Sequence, residues 1–355
     1  MKRMLIYPYG AEVEHLVDFH NLLKDLQPVG LVRLRGWDDG QRYCCNAGLN
    51  IPIYYEFEEG LKNTQPDVVW FADFQFALDF EQYYLPYIKL AVSEGKYIVM
   101  GRSLKEKAKP YLTEQRVLYC EAEVESIEDS YHSEALAQIN TPIIYVAGLF
   151  SGLDKFALQL GVRRELEKRE ISVIQIGSRE DARYFGFYEI PQYMLETNIS
   201  EKEKILRFNG CMKSLEEKYK PDLFLIGVPG ELFGASAKYM ANFGMLAYEI
   251  FMSALPEGLI VSLPYDEYSE EYLEEISTTI ERRFGAGVDV FHRTNKKFQL
   301  DDTEINQANQ YLTVIDIDEK TSIDRLYMLN DSKQMEKAID KIINKLIEYG
   351  KIRSV

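Results

Sequence analysis

The stretch Gly148-Leu149-Phe150-Ser151-Gly152-Leu153-Asp154-Lys155-Phe156 carries residue types that can cradle an anion. It follows an apolar run at residues 143–147 and opens a helical pattern at Lys155. In that setting backbone N–H groups and the positive end of a helix dipole converge, and a lysine adds a compact charge. Gly148, Ser151, Gly152 and Lys155 are therefore the loop's candidate ligand-holding residues. The usual pattern, G-x-x-x-x-G-K-[ST], is not met. The spacing fits a longer variant, with lysine seven positions after the first glycine. Asp154 stands where the second glycine belongs, and Phe156 where the Mg²⁺-holding hydroxyl belongs. A carboxylate at 154 repels phosphate, and a phenyl ring is no metal ligand. Ordinary Mg²⁺–nucleotide hydrolysis is not expected. Two readings compete: a structural turn that needs its glycines for backbone reasons, or an altered ligand such as a coenzyme in another phosphate pose or a carboxylate.

Two further loops follow strand-like runs. Ile176-Gly177-Ser178-Arg179-Glu180-Asp181 offers Gly177 for a turn and Arg179 as a fork for a carboxylate, or as half of a surface ion pair. Ile226-Gly227-Val228-Pro229-Gly230-Glu231-Leu232 offers Gly230 for a turn and Glu231 as a general base, a metal ligand or a solvated carboxylate. Lys155, to neutralise phosphate, and Glu231, to move a proton, are the catalytic candidates. In the first half, strand-end loops supply Gly10, Asp73 and Arg102 as candidate substrate contacts. His15 and His20 lie five apart, which does not put them on one helix face, so no zinc is expected. His292, in His292-Arg293-Thr294-Asn295, reads as structural or exposed before it reads as catalytic. Cys44, Cys45, Cys120 and Cys211 match no zinc or redox spacing. They read as reduced thiols, with Cys44 and Cys45 the candidates for reactivity.

The elements that must position these residues alternate. Residues 4–7, 29–34, 53–54, 68–71 and 97–100 read as strands. Leu16, Phe19, Leu22, Leu23 and Leu26 are spaced for a helix over 13–26, and 85–93 can form another. The second half restarts with a strand, then a helix over 155–170 and a strand at 171–176. Strands at 223–226, 258–262 and 312–317 follow. A last helix over 333–349 starts at Ser332 and ends at Gly350. Short apolar strands alternating with helices indicate α/β architecture with doubly wound parallel sheets, which bind ligands at the carboxyl ends of their strands. Glu121, Glu123, Glu125, Glu128, Asp129 and Glu134 form an acidic stretch closed by Asn140-Thr141-Pro142. The expected division is a domain over 1–120, an acidic linker over 121–141 and a second domain over 142–355.

The longer loop spacing resembles dethiobiotin synthetase and a related family known mainly as a domain of unknown function. There a Rossmann-like domain precedes a P-loop domain with a pattern close to G-T-D-x-x-x-G-K-x-T. Gly148 and Lys155 match it; Phe150, Asp154 and Phe156 depart. Gly177 falls in that family's T-G-Q-T-G loop. Gly230 and Leu232 match its E-G-Q-G-S-L loop, with Gly227 at the acidic position. The resemblance implies a Rossmann-like N-terminal domain and a P-loop NTPase-like C-terminal domain with a degenerate phosphate loop. One activity in that broad family, acylation of an amino acid by acetyl-CoA, implies an acyl-CoA-dependent N-acyltransferase as one reading.

Over the whole chain, layout and loops are similar to the peptide maturation system proteins of clostridial cassettes. Such cassettes encode small bacteriocin-type ribosomal peptides and a radical SAM enzyme. The shared features are a first strand ending in Tyr7-Pro8-Tyr9-Gly10, an altered P-loop near residue 150 and the loop Val228-Pro229-Gly230-Glu231. This implies an accessory protein or enzyme of ribosomal-peptide maturation. Its ligand would be a nucleotide or coenzyme A, and its partner a precursor peptide or the radical SAM enzyme. A non-catalytic peptide- or partner-binding scaffold is the competing reading, and self-association is left open.

Composition narrows the field. The 355 residues carry a net charge of −16, with Lys and Arg interleaved among Glu and Asp. Such a surface repels nucleic-acid phosphates and anionic lipid, so neither partner is expected. No run approaches the ~20 apolar residues that span a bilayer. Pro8 cuts short the apolar run after Met1-Lys2-Arg3-Met4, which leaves no signal-peptide core. A cytoplasmic location is expected. The fingerprint G-x-G-x-x-G is absent after the first strand, so NAD is not expected. Tyrosines are abundant, 25 in all, and several fall in probable loops, where they favour peptide contacts or aromatic packing. The functional cleft is expected between the domains, with Gly10, Asp73 and Arg102 on one side and residues 148–155, Gly230 and Glu231 on the other.

Overall fold

A computed structural model describes residues 1–37, 42–44, 48–74, 78–112, 134–315 and 323–352. Cys45, Cys120, most of the acidic stretch and residues 316–317 lie outside them. The chain forms two compact units: Met1–Val124 with Glu180–Gly186, and Glu125–Arg179 with Phe187–Val355.

In the first unit the elements run β1 (Lys2–Tyr7), α1 (His15–Asp18), β2 (Leu26–Val32), β3 (Tyr43–Cys44), β4 (Ile51–Tyr54), α2 (Phe57–Thr64), β5 (Val68–Phe71), α3 (Phe80–Tyr83), α4 (Leu85–Ser93), β6 (Tyr97–Met100) and α5 (Arg102–Ala108). The sheet order is β3-β4-β2-β1-β5-β6. Every pair is parallel except β3–β4. The central strands are apolar on both faces, as β5 shows with Val68, Val69, Trp70 and Phe71 all buried. Covering both faces of a parallel sheet demands such runs. This is the doubly wound, Rossmann-like arrangement expected.

The helix expected over 13–26 does not form. Only His15–Asp18 is α-helical, between tight turns at Ala11–Val13 and His20–Leu22. Asp25 then takes φ +56, and Leu26 pairs with Lys2 as the first residue of β2. Leucines that looked helical by spacing belong to different elements. Tertiary pairing with β1 overrides the local period.

The second unit runs β7 (Ile143–Gly148), α6 (Lys155–Lys168), β8 (Val173–Gly177), β9 (Tyr188–Glu189), α7 (Glu201–Tyr219), β10 (Leu223–Gly227), α8 (Met245–Ser253), β11 (Gly258–Leu263), α9 (Glu270–Phe284), β12 (Val290–Arg293), β13 (Lys296–Phe298), α10 (Leu300–Asn306), β14 (Tyr311–Thr313), β15 (Leu326–Tyr327) and α11 (Ser332–Ile352). Its main sheet has the order β15-β12-β11-β7-β10-β8-β9 and is parallel throughout. The first strand, β7, lies in the middle between β10 and β11. A crossover to either side leaves a crevice beyond its carboxyl end, the standard ligand position in such sheets.

Alternate residues of β7 feed two cores. Ile143, Tyr145 and Ala147 pack with α7, α8 and α9; Ile144 and Val146 pack with α6 and α11. Helix starts are chemically marked. The Ser200 hydroxyl accepts from Glu203 N–H at 3.3 Å to open α7, and Ser269 accepts from Tyr272 N–H at 3.2 Å to open α9. Two expectations are corrected. The strand expected over 312–317 is not part of the main sheet: Tyr311–Thr313 pairs antiparallel with Lys296–Phe298 as a separate hairpin. The last helix continues past Gly350 to Ile352.

Candidate phosphate-loop site

The loop leaves the sheet at Gly148 and enters α6 at Lys155. Leu149 N–H donates to Ser262 O at 2.9 Å, and Leu232 N–H donates to Gly148 O at 3.1 Å. These bonds tie it to β11 and to the loop that follows β10. The chain then doubles back so tightly that a Cβ on Gly148 would lie 2.7 Å from Phe150 O and 3.0 Å from Lys155 Cδ. Glycine is required there by close approach. Gly152 takes φ +86, a conformation that glycine adopts without a Cβ clash. Among the described residues, the amides of Ser151, Gly152, Asp154 and Lys155 donate to no protein acceptor. Those of Asp154 and Lys155 are unpaired donors of a helix N-terminus, and those of Ser151 and Gly152 belong to the loop before it.

Lys155 turns inward. Its Nζ donates to Gly230 O. Burial pulls the ammonium down to about 8 from its ordinary 10.5, against the nearby Glu231 carboxylate, which opposes the fall. Glu231 is itself buried, with Oε1 accepting from Asn242 N–H at 2.9 Å. Lys155, Gly230 and Glu231 are thus brought together. Asp154 does not face Lys155: its carboxylate holds Lys296 Nζ at 2.6 Å.

Position 156 carries a ring where the usual loop pattern has a metal-holding hydroxyl. Phe156 is buried, 6.3 Å from the Phe187 ring, with the Arg179 guanidinium 5.6 Å from its own centroid. Arg179 therefore spends its planar face on an aromatic ring. At Gly227, the position of the lost acidic residue, a Cβ would lie 2.6 Å from Gln159 Oε1. Gln159 Nε2 is fixed by Ile176 O at 2.8 Å and Leu225 O at 3.2 Å. Gly177 closes β8, its carbonyl accepting from Ile190 N–H at 3.0 Å. Among the described residues, no group of three or more His, Cys, Asp or Glu could hold a metal ion.

Sequence reasoning missed one side of the loop entirely. The hairpin of β13 and β14 grips it from outside. Tyr311 OH donates to Ser151 O at 2.6 Å, and Asn309 Nδ2 donates to Ser151 Oγ at 2.8 Å and Ser151 O at 3.2 Å. Lys296 Nζ also donates to Gly152 O at 2.9 Å. The Phe150 and Phe298 rings meet at 4.8 Å. These partners sit 142 to 160 positions from the loop, so no local pattern reveals them.

Ser262 and His292 were also passed over as neighbours of the site. Ser262 pairs in register with both Gly148 and His292. Its hydroxyl is fully buried and has no partner among the described residues. It lies on the same sheet face as Gly148, against which the Lys155 stem rests. His292 is buried, with Nδ1 accepting from Leu329 N–H at 3.1 Å. Burial lowers it to about 4, against the pull of Asp154 and of a backbone hydrogen bond at Tyr327. It is a neutral, structural histidine.

Gly10, Asp73 and Arg102 belong to the first unit. A Cβ on Gly10 would lie 3.2 Å from both the Phe74 and Trp37 rings. Arg102 N–H donates to Glu180 Oε2 at 2.7 Å. A Cβ on Gly101 would lie 3.3 Å from Glu180 Oε2 and from Asp73 Oδ2. Both carboxylates therefore lie beside the start of α5. Burial raises the Asp73 carboxyl, while the Lys107 charge and hydrogen bonds at Ser103 and Leu104 pull it back. His15 Nε2 meets Asp181 Oδ2 at 2.8 Å, both buried. Cys44 is buried with Sγ 3.8 Å from Tyr9 OH, and burial pushes its thiol up, away from thiolate chemistry.

No family model matches the chain, and no curated protein matches it. Among the described residues, no helix is long and apolar enough to cross a membrane. Among solved structures, a DUF1611 family protein from Anabaena variabilis aligns over 97% of this chain and 100% of its own, with TM-score 0.57 and 12% identity. A plasmid partition protein from Borrelia burgdorferi aligns over 58% of this chain and 100% of its own, with TM-score 0.34 and 12% identity. Chloroplast FtsY from Physcomitrella patens aligns over 72% and 80%, with TM-score 0.26 and 14% identity. The last two overlap too loosely to bear on function. The first shows the fold alone: an α/β chain, here built as two units on mainly parallel sheets.

Proposed function

We propose that the second unit holds a phosphate-bearing ligand, a nucleotide or coenzyme A, at residues 148–155 without hydrolysing it through Mg²⁺. The carrying observation is the set of unpaired amides in the loop and at the start of α6. The fully buried, unpartnered Ser262 hydroxyl beside Gly148 is a second sign that the space takes a polar guest, because buried hydroxyls ordinarily have partners. Lys155 would exchange Gly230 O for a phosphate oxygen, turning an ammonium–carbonyl bond into an ion pair. Glu231, next to it, is the group placed to take or give a proton.

The setting in which such a ligand is used is, in this proposal, the maturation of a ribosomally made peptide. Its support is the resemblance of Tyr7-Pro8-Tyr9-Gly10 and Val228-Pro229-Gly230-Glu231 to the corresponding loops of peptide maturation proteins. Thermal unfolding with ATP, coenzyme A, pyrophosphate and candidate precursor peptides tests both parts. A ligand at 100 times its dissociation constant stabilises by about 2.7 kcal/mol. Stabilisation by a phosphate compound supports the first part. Stabilisation by peptide alone would replace it with a scaffold role.

A further inference from the structure

The grip of the hairpin on the phosphate loop has a direction. Tyr311 and Asn309 both donate to the carbonyl oxygen of Ser151. In a planar trans peptide, C=O and the following N–H point opposite ways. Fixing Ser151 O toward the hairpin therefore turns the Gly152 amide away from it. Lys296 does the same to the next peptide through Gly152 O. The loop lacks the glycine that ordinarily precedes the lysine. It has Asp154 at φ +49 there instead, with its carboxylate drawn off by Lys296 at 2.6 Å. One lysine thus does two things. It neutralises the charge that would repel phosphate, and it holds a carbonyl outward.

We infer that Tyr311, Asn309 and Lys296 are positioning residues that brace the phosphate loop from outside, presetting the Gly152 amide for an anion. This rests on the phosphate-ligand reading above. The brace comes from an element that the sheet does not need. The hairpin is two short strands outside the main sheet, and such a pair is marginal on its own. Beside the Phe150–Phe298 ring contact, its polar bonds with residues 151–154 are directional, and three of them converge on two carbonyls. The opposite device, a lid that shuts the loop until it opens, would place the same residues over the amides. Instead they take the carbonyls.

The test is calorimetric titration of the full chain with pyrophosphate, without Mg²⁺. Tyr311→Phe removes one donor and no charge, and it should weaken binding about fivefold, the worth of one hydrogen bond. Lys296→Met together with Asp154→Asn removes the Lys296 arm of the brace at constant net charge and should also weaken binding. The Gly152 amide resonance should shift in Tyr311→Phe before any ligand is added, with the unfolding midpoint nearly unchanged. That signature separates positioning from general stability. Wild-type binding with equal or tighter binding by Tyr311→Phe would overturn the brace in favour of a lid, and leave the phosphate reading standing. Failure of the wild type to bind pyrophosphate, ATP or coenzyme A would overturn the phosphate reading, and the brace with it.

Discussion

Lys155 is the residue whose protonation most directly sets what the loop can do. Its folded-state value of about 8 lies below its ordinary 10.5. A base whose value is depressed by folding costs stability while both states would otherwise be charged. The cost is fully present below pH 8. Between about 8 and 10.5 the unfolded chain still binds the proton that the folded chain has lost, so stability rises with pH. Lys155→Met should therefore be more stable than the wild type at pH 7, with the difference closing as pH passes 10.5. It should also lose anion binding by at least about tenfold, the loss of one charge-assisted bond. For the wild type, pyrophosphate affinity should fall as pH rises through 8. Affinity flat from pH 7 to 9.5 would mean that Lys155 does not meet the anion. His292 has the same sign at lower pH. Its ordinary 6.5 falls to about 4 on folding, so stability should drop as pH falls from 6.5 toward 4. His292→Gln should flatten that drop by up to one proton's worth, about 1.4 kcal/mol per pH unit.

Elements explain both what could be read and what could not. β5, α4 and β6 were legible with their true bounds. Val68-Val69-Trp70-Phe71 is an unbroken apolar run after a proline turn, and Tyr97 follows Glu94-Gly95-Lys96. The false helix over 13–26 arose because strand and turn leucines happened to share a helical spacing. The loop over 148–155 was legible because all its parts are consecutive. The hairpin was not, because its contact with the loop depends on β13 and β14 first finding each other. Gln159 left a faint trace, a polar residue in the buried stripe of α6. Two predictions belong at this scale. Since Phe156 offers no hydroxyl to Mg²⁺, the ion should leave ATP affinity within about twofold; a tenfold gain, about 1.4 kcal/mol, would contradict it. Gly152→Ala should destabilise by about 1–2 kcal/mol, since a Cβ there takes φ +86 and meets Tyr311 Cε2 at 3.0 Å. Denaturant unfolding of this variant would show it.

At the scale of the whole molecule, the first unit is not continuous in sequence. It takes in Glu180–Gly186 from far along the chain. That segment supplies the Asp181 partner of His15, and Tyr184, whose ring lies 4.8 Å from Trp70 and whose carbonyl accepts from Lys24 N–H at 2.7 Å. It also supplies the Glu180 carboxylate at the start of α5. Asp181→Ala leaves the buried His15 nitrogen without its acceptor and should cost about 1–3 kcal/mol. Amide exchange should show the loss chiefly in β1, β2 and β5; uniform acceleration across both sheets would show that the two units unfold as one. The expected boundary near residue 120 assumed that a domain is a stretch of chain, and the apolar pattern of residues 180–186 gave no reason to assign them backwards. The arrangement also sets a clock. At ~5–20 residues per second, a ribosome that has finished β6 needs several more seconds to deliver residues 180–186. Until then His15 has no acid beside it and Trp70 lacks the Tyr184 ring. The unit whose synthesis begins first is completed only after the phosphate loop has been made.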